Sequence, residues 1–376
     1  MDSNQKKFGI YVFLSTFSRS LIEVFIPVIL YKFGYSIKEV LLYYLIVNLV
    51  SLFITYPSIY ISNKYNNKIL SIVGITSFIA LQVALNYMVR SIAYLVLIAV
   101  LFAFYRRGYW ISRRYYNLEI IKDKNIATSY SIIMILNQLA VVVSGYIGSL
   151  ILDFVSLRVL TIIAIILFAL CLIPINMMKF EHEKKQYNLD LKDTIKSIPK
   201  SDIYLFGSYE LNNVIKFLIP LYIVIYVKDT YQTIGLVTLI TNLALLIFTF
   251  LFGKKLDKSK SNYLKIAILL TVAIYILKVN SIGFALFIVS FIEGFVSKMY
   301  ELSINKEFYT LSKQFEYYNY NLMYEITQNL FRSILVFILY ITNLDIRNMI
   351  YVSLAFVLFG IFLKFKPKIE EEKYEK

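Results

Sequence analysis

Long apolar runs separated by short polar stretches make up nearly the whole chain. A membrane-crossing helix needs about 20 mostly apolar residues. Twelve runs approach that length, approximately 8–31, 40–61, 69–89, 92–112, 127–152, 157–178, 203–227, 231–252, 263–279, 282–304, 318–342 and 347–365. The ninth is short, and the fourth and tenth carry charges. None alternates polar and apolar positions as barrel strands do, so each predicts a helix. The first run is too long for a signal peptide and lacks a small-residue cleavage site, which predicts a span. The pattern predicts an all-α polytopic membrane protein with twelve transmembrane helices.

The polar stretches carry an orientation. Lys6 and Lys7 precede the first span, Lys64 and Lys68 follow the second, and Arg113, Arg114, Lys122 and Lys124 follow the fourth. Lys184, Lys185, Lys192, Lys196 and Lys200 follow the sixth, and Lys254, Lys255, Lys258 and Lys260 the eighth. The opposite loops hold little more than Lys38, Arg90, Arg158, Lys228, Lys278 and Arg347. Basic loops stay on the cytoplasmic side, so both termini and the central linker are expected there, in a multi-pass protein of the cell (inner) membrane. The organisation expected is an N-terminal six-helix bundle at 1–179, a cytoplasmic linker at 180–202, a C-terminal six-helix bundle at 203–365 and a cytoplasmic tail at 366–376.

Composition narrows the chemistry. Of 376 residues, 59% are hydrophobic and only 17% charged, against about a quarter charged in soluble domains. The formal charge of +15 would suggest nucleic acid in a soluble protein, but here it follows from the basic loops, so no nucleic-acid partner is expected. One cysteine, Cys171, and one histidine, His182, argue against disulfides, metal clusters and catalysis by several histidines. No enzyme activity, metal or bound cofactor is expected. The expected partners are the lipid bilayer and a small-molecule substrate, with the chain a monomer.

The two halves resemble each other. Glu23-Val-Phe-Ile-Pro27 matches Lys216-Phe-Leu-Ile-Pro220, and Leu45-Ile-Val-Asn48-Leu49 matches Leu239-Ile-Thr-Asn242-Leu243. Asn63-Lys64 falls on Asp257-Lys258, and Asn137-Gln138-Leu139 on Gln328-Asn329-Leu330. Prolines, mid-helix asparagines and helix-end charges keep register with a drift of a few residues. Two halves related by an axis along the membrane normal are an arrangement of secondary transporters.

On these grounds the chain resembles the major facilitator superfamily over its whole length. The family signature Gly-x-x-x-Asp-Arg/Lys-x-Gly-Arg-Lys is matched after span 8 by Gly253-Lys-Lys-Leu-Asp257-Lys258. After span 2 it is eroded to Ile59-Tyr-Ile-Ser-Asn63-Lys64-Tyr-Asn66-Asn67-Lys68. The resemblance implies that Asn63, Lys64, Gly253, Asp257 and Lys258 fasten an inner gate, by capping and charge at a neighbouring helix end. The antiporter signature of span 5 finds its nearest match in Ser144–Ser149, which lacks the proline; such small residues also simply let helices approach closely. Arg106 and Arg107, directly before Gly108, do not match the spacing of the family's span 4 arginine. The resemblance also implies that spans 1, 4, 7 and 10 line a central cavity and that 3, 6, 9 and 12 lie outside it.

The intramembrane charges fall on a consistent set of helices. Arg19 and Glu23 lie in span 1, Arg106 and Arg107 in span 4, Glu210 and Lys216 in span 7, Glu293 and Lys298 in span 10, and Glu325 and Arg332 in span 11. A charge at mid-bilayer costs at least about 2.5–3.5 kcal/mol unless it faces protein or a wet cavity, so these helices should turn inward. Arg19, Glu23, Arg106, Glu210, Lys216, Glu293, Glu325 and Arg332 are the candidates for coupling or substrate contact. Arg19 and Glu23, four apart, form either a static pair or a working site. Glu293 has no base three or four residues away on its helix and is a candidate proton site. Glu210 either caps a helix contact or serves the site. Glu325 and Arg332, two turns apart, are placed to pair with different helices. Lys298, Arg107, Arg113 and Arg114 are expected to snorkel toward the cytoplasmic end.

Asn137, Gln138, Gln328 and Asn329 either contact substrate or join helices. Tyr109 and Tyr209, with Tyr105, Trp110, Tyr300 and Tyr324, form either an aromatic cavity wall or an interfacial belt. Pro27 and Pro220 should kink spans 1 and 7 where an outer gate bends. The expectation is a secondary active transporter working by alternating access and driven by a transmembrane proton gradient, with export of an amphipathic compound slightly favoured. Uptake by symport and lipid or lysolipid flipping, with phosphate on Arg106 or Lys216, are the alternatives, and a non-transporting sensor is a more distant one.

Overall fold

A computed structural model describes residues 3–65, 67–121, 126–178, 192, 200–258, 263–312 and 317–364. Among the described residues twelve helical spans follow one another. They are α1 (Ser3–Lys32), α2 (Ile37–Lys64), α3 (Asn67–Asn86), α4 (Ile92–Ile121), α5 (Ile126–Phe154) and α6 (Leu157–Met177). After the linker come α7 (Lys200–Tyr222), α8 (Tyr231–Lys258), α9 (Tyr263–Val279), α10 (Phe284–Ser312), α11 (Tyr317–Thr342) and α12 (Ile346–Lys364). Nine of the described helices are long and apolar enough to cross a membrane. The others fall short for local reasons: α9 has 17 residues, α10 carries Glu293, Lys298 and Glu301, and α12 contributes a shorter apolar stretch, Ile346–Phe359.

The packing repeats with the sequence. In the first half α1 lies on α5 and α6, α2 on α4, and α3 on α4 and α6. In the second half α7 lies on α11 and α12, α8 on α10, and α9 on α10 and α12, the same pairs advanced by six. The halves meet where α2 packs on α11 and α5 on α8, two contacts that exchange under the same relation.

Glycines set the closest crossings. A Cβ on Gly74 would meet the backbone of Gly108 and Tyr109, so α3 and α4 touch at these two glycines. A Cβ on Gly148 would strike the Leu21 carbonyl, and one on Gly235 would strike the Ser149 side chain. The Ser144–Ser149 run therefore serves close packing of α5 on α1 and α8.

Both matched prolines sit at irregular backbone. The first span is a helix to Ser20, a 3₁₀ turn at Glu23–Phe25 and a second helix from Ile26, with Pro27 in its first turn. Proline lacks the N–H that would bond the carbonyl four residues back. In α7, Pro220 lies just before a π turn at Ile223–Val227. The carbonyls left without that partner are those of Glu23 and Lys216, both charged residues.

The end of the bundle away from the linker is tied shut across the halves. Lys32 pairs with Asp229 at 2.7 Å and lies over the Tyr231 ring, and Phe25 meets Tyr231 edge-on. The Asp153 carboxylate accepts from the Tyr231 and Gln232 amides at 3.1 and 2.6 Å, capping α8 from the end of α5.

Candidate functional site

A cavity of about 700 Å³ lies between the halves. Its walls come from α1, α2, α4, α5, α7, α8, α10 and α11, and no lining residue comes from α3, α6, α9 or α12. It extends from Pro27 and Phe102, toward the closed end, to Asn117 and Phe308, toward the linker. Seven basic side chains line it against three acidic ones, Glu23, Glu210 and Glu301.

Of the eight charged candidates, Arg19, Glu23, Arg106, Glu210, Lys216 and Arg332 line the cavity together. Arg19 donates to Glu23 at 2.9 Å, and its guanidinium lies 5.1 Å from the Trp110 ring, which Arg113 approaches at 5.4 Å from α4 itself. Glu210 faces Arg332 at 3.4 Å and accepts from Asn213 at 2.6 Å. Lys216 is exposed to the cavity and Arg106 half-buried beside it, with Phe102 as its ring contact at 5.9 Å.

Glu325 lies behind the wall. Fully buried on α11, it accepts from Arg107 and from Arg114, both on α4, so one carboxylate joins the halves. With Arg332 on Glu210, the two α11 charges do pair with different helices, α4 and α7. A buried carboxylate that accepts from two guanidiniums is held by charge-assisted bonds that water does not weaken.

Two expectations about charge are corrected. Glu293 is not an unpaired acid: Lys278 of α9 donates to it, both are buried, and neither lines the cavity. Lys278, counted above as a loop lysine, lies inside α9, so the base comes from the neighbouring helix. Lys298, Arg107 and Arg113 do not snorkel; they are buried, Lys298 donating to Glu301 at 2.9 Å and Arg113 to Asn137 at 2.7 Å.

The amides divide. Asn137 also accepts from Thr16 at 2.8 Å, and Gln138 reaches the Asn242 carbonyl at 3.5 Å across the halves. Gln328 lines the cavity with its Nε2 unbonded. Asn329 lies off the cavity and donates to the Glu325 carbonyl at 2.6 Å. Tyr109 is buried next to the wall, its hydroxyl accepting from Arg113. Tyr209 lines the wall and packs edge-on against Tyr300. Trp110 and Tyr324 line it too, while Tyr105 and Tyr300 are buried in the core, so these rings form no interfacial belt.

Of the gate candidates, Asn63 is buried at the end of α2 and Lys64 donates to Tyr60 at 2.9 Å in the open. Gly253, Asp257 and Lys258 fall in the last turns of α8, and their side chains lie outside the described residues.

Sequence reasoning missed Tyr44, Asn213, Phe217 and Glu301 as wall residues. It also missed Asn48 and Asn242, although both stood out as asparagines matched across the repeat. A polar side chain mid-helix in both halves was the available signal.

Residues 8–194 match the family model described as Major Facilitator Superfamily. No curated protein matches the sequence. Among solved structures, a mutant of the nucleoside transporter NupG is 12% identical, with a TM-score of 0.71 over 96% of this chain and 98% of that one. A bacterial metal transporter is 13% identical, with a TM-score of 0.63 over 97% of this chain and 98% of that one. At these identities the likeness speaks for the fold.

Proposed function

We propose that this chain, which belongs to the Major Facilitator Superfamily and is an integral multi-pass membrane transporter, moves a small amphipathic molecule by rocking its two halves about the central cavity. The observation that carries the reading is a cavity walled by both halves, tied shut at one end by Lys32–Asp229 and Phe25–Tyr231 while its lining extends to Asn117 and Phe308 near the other. A substrate held there is reached from the linker side, which the basic loops assign to the cytoplasm. The irregular backbone at Glu23–Phe25 and Ile223–Val227 gives the closed end places to bend.

Proton coupling runs through Glu23 and Glu210, the cavity acids whose partners, Arg19 and Arg332, also face the cavity. A proton on either acid releases its arginine, so the charge presented to substrate changes with protonation. Glu293 takes no part, because its proton would have to displace Lys278 in a site off the cavity. Of the two features that favour export, the small-residue run of span 5 and the aromatic content, the first carries little weight, since close packing suffices for Gly145 and Gly148.

The test is proton movement. Proteoliposomes loaded with a pH-sensitive dye receive lipophilic cations, anionic amphiphiles, lysophospholipids, sugars, amino acids and peptides in turn. One class should shift internal pH with the wild type and not with Glu210→Gln. No shift from any class would overturn the coupled-transport reading.

A further inference from the structure

We infer that the cavity takes an amphipathic organic anion, its carboxylate or phosphate held between Arg106 of α4 and Lys216 of α7; this rests on the transport reading above. Each acid of the cavity has a basic partner: Glu23 has Arg19, Glu210 has Arg332, and Glu301 has Lys298. Glu325, behind the wall, takes up both Arg107 and Arg114. Arg113 is held by neutral partners, Asn137, Thr16 and Tyr109. Arg106 and Lys216 are left over: among the described residues neither forms an ion pair.

Two cations within the membrane that form neither an ion pair nor a hydrogen bond to a neighbouring side chain among the described residues are costly and call for a counter-charge. A guanidinium fork and an ammonium are the groups that bind carboxylate and phosphate through charge-assisted hydrogen bonds. They come from different halves, α4 and α7, so one oxyanion between them ties the halves together, which a substrate that triggers rocking must do. Both line the cavity that Glu210 also lines, one from each half.

The neighbourhood is apolar as well as basic. Phe217, next to Lys216 in sequence, stacks on Tyr44 of α2 with ring centroids 3.9 Å apart and an interplanar angle of 11°. Phe102 lies beside Arg106. These three rings line the cavity and supply a surface for an apolar body whose head sits on the cations. The cation pair also sets the sense of coupling. A proton on Glu210 removes a negative charge and frees Arg332, making the cavity more attractive to an anion. Proton and anion therefore bind together and cross in the same direction.

The experiment is thermal stabilisation of the purified full chain in non-ionic detergent, with decanoate, decyl phosphate, lysophosphatidic acid and decyltrimethylammonium as probes. The anions should stabilise the wild type and the cation should not. Arg106→Gln and Lys216→Gln should each weaken anion binding by about tenfold or more with little change in the melting temperature of the unliganded protein, because neither residue has an ion pair to lose. Arg106→Lys should keep most of the affinity. Stabilisation by decyl phosphate at submicellar concentration points to a free anion, and by lysophosphatidic acid alone to a lipid head group; both support the assignment. Anion affinity unchanged in both glutamine variants, or stabilisation by the cation, overturns it. Proton flux driven by a non-anionic class would sink the anion assignment and leave transport standing. Anion binding with no flux would do the reverse.

Discussion

Arg107 and Glu325 form a fully buried ion pair between α4 of one half and α11 of the other, with Arg114 on the second carboxylate oxygen. Removing one member of such a pair typically costs about 3–5 kcal/mol, because the other charge stays buried and alone. Glu325→Gln should therefore lower the melting temperature of the detergent-solubilised protein markedly. Replacing Arg107 and Glu325 together with leucine should recover much of that loss. A Glu325→Gln protein as stable as the wild type would mean the pair does not hold the halves.

Lys278 and Glu293 make the same kind of pair within one half, off the cavity. Glu293→Gln should destabilise the protein while leaving the pH dependence of proton flux unchanged. Glu210→Gln should flatten that pH dependence with a smaller effect on melting temperature. The reverse pattern would move the proton site to α10.

The sign of the pH effect follows from the cavity charges. Protonating Glu210 frees Arg332 for substrate, so the affinity for decanesulfonate, whose charge does not change with pH, should rise as pH falls through the titration of that carboxyl. In Glu210→Gln, where that charge is permanently absent, affinity should be higher at neutral pH and less dependent on pH than in the wild type, the remainder coming from Glu23. Titrations of stabilisation against decanesulfonate at several pH values measure both, and affinity falling with acidification in the wild type would contradict the account.

Gly148 admits no side chain, since a Cβ there would strike the Leu21 carbonyl. Gly148→Ala should cost about 1–3 kcal/mol, as overpacking commonly does. Gly283→Ala meets nothing within 4 Å but sits at φ +58°, so its penalty should come from backbone strain alone. Melting temperatures of the two variants compare a packing penalty with a conformational one.

The fold was readable because lipid demands that each crossing be an apolar helix with its backbone bonds closed on itself. Five of the eight cavity helices, α1, α4, α7, α10 and α11, were readable for the same reason, since a charge placed mid-helix must turn inward, whereas α2, α5 and α8 carry no charge there and gave no such signal. Partners were not readable: periodicity reaches three or four residues along one helix, which found Arg19 with Glu23. It could not find Lys278 for Glu293 or the two arginines for Glu325, which depend on how helices lie side by side. Neither could it separate Tyr209 on the wall from Tyr300 in the core, because both rings occupy apolar helices and only the tertiary packing distinguishes them.

The central claim is that the halves rock about the cavity, and the most direct measurement is a pair of distances. Spin labels are placed at Phe33→Cys and Lys228→Cys across the closed end, both exposed and beside the Lys32–Asp229 pair, and in a second sample at Tyr65→Cys and Leu251→Cys toward the linker, both in a Cys171→Ser background. With decyl phosphate or a change of pH, the first pair should gain a longer-distance population while the second gains a shorter one. Distances that stay single and unchanged under every condition would contradict alternating access.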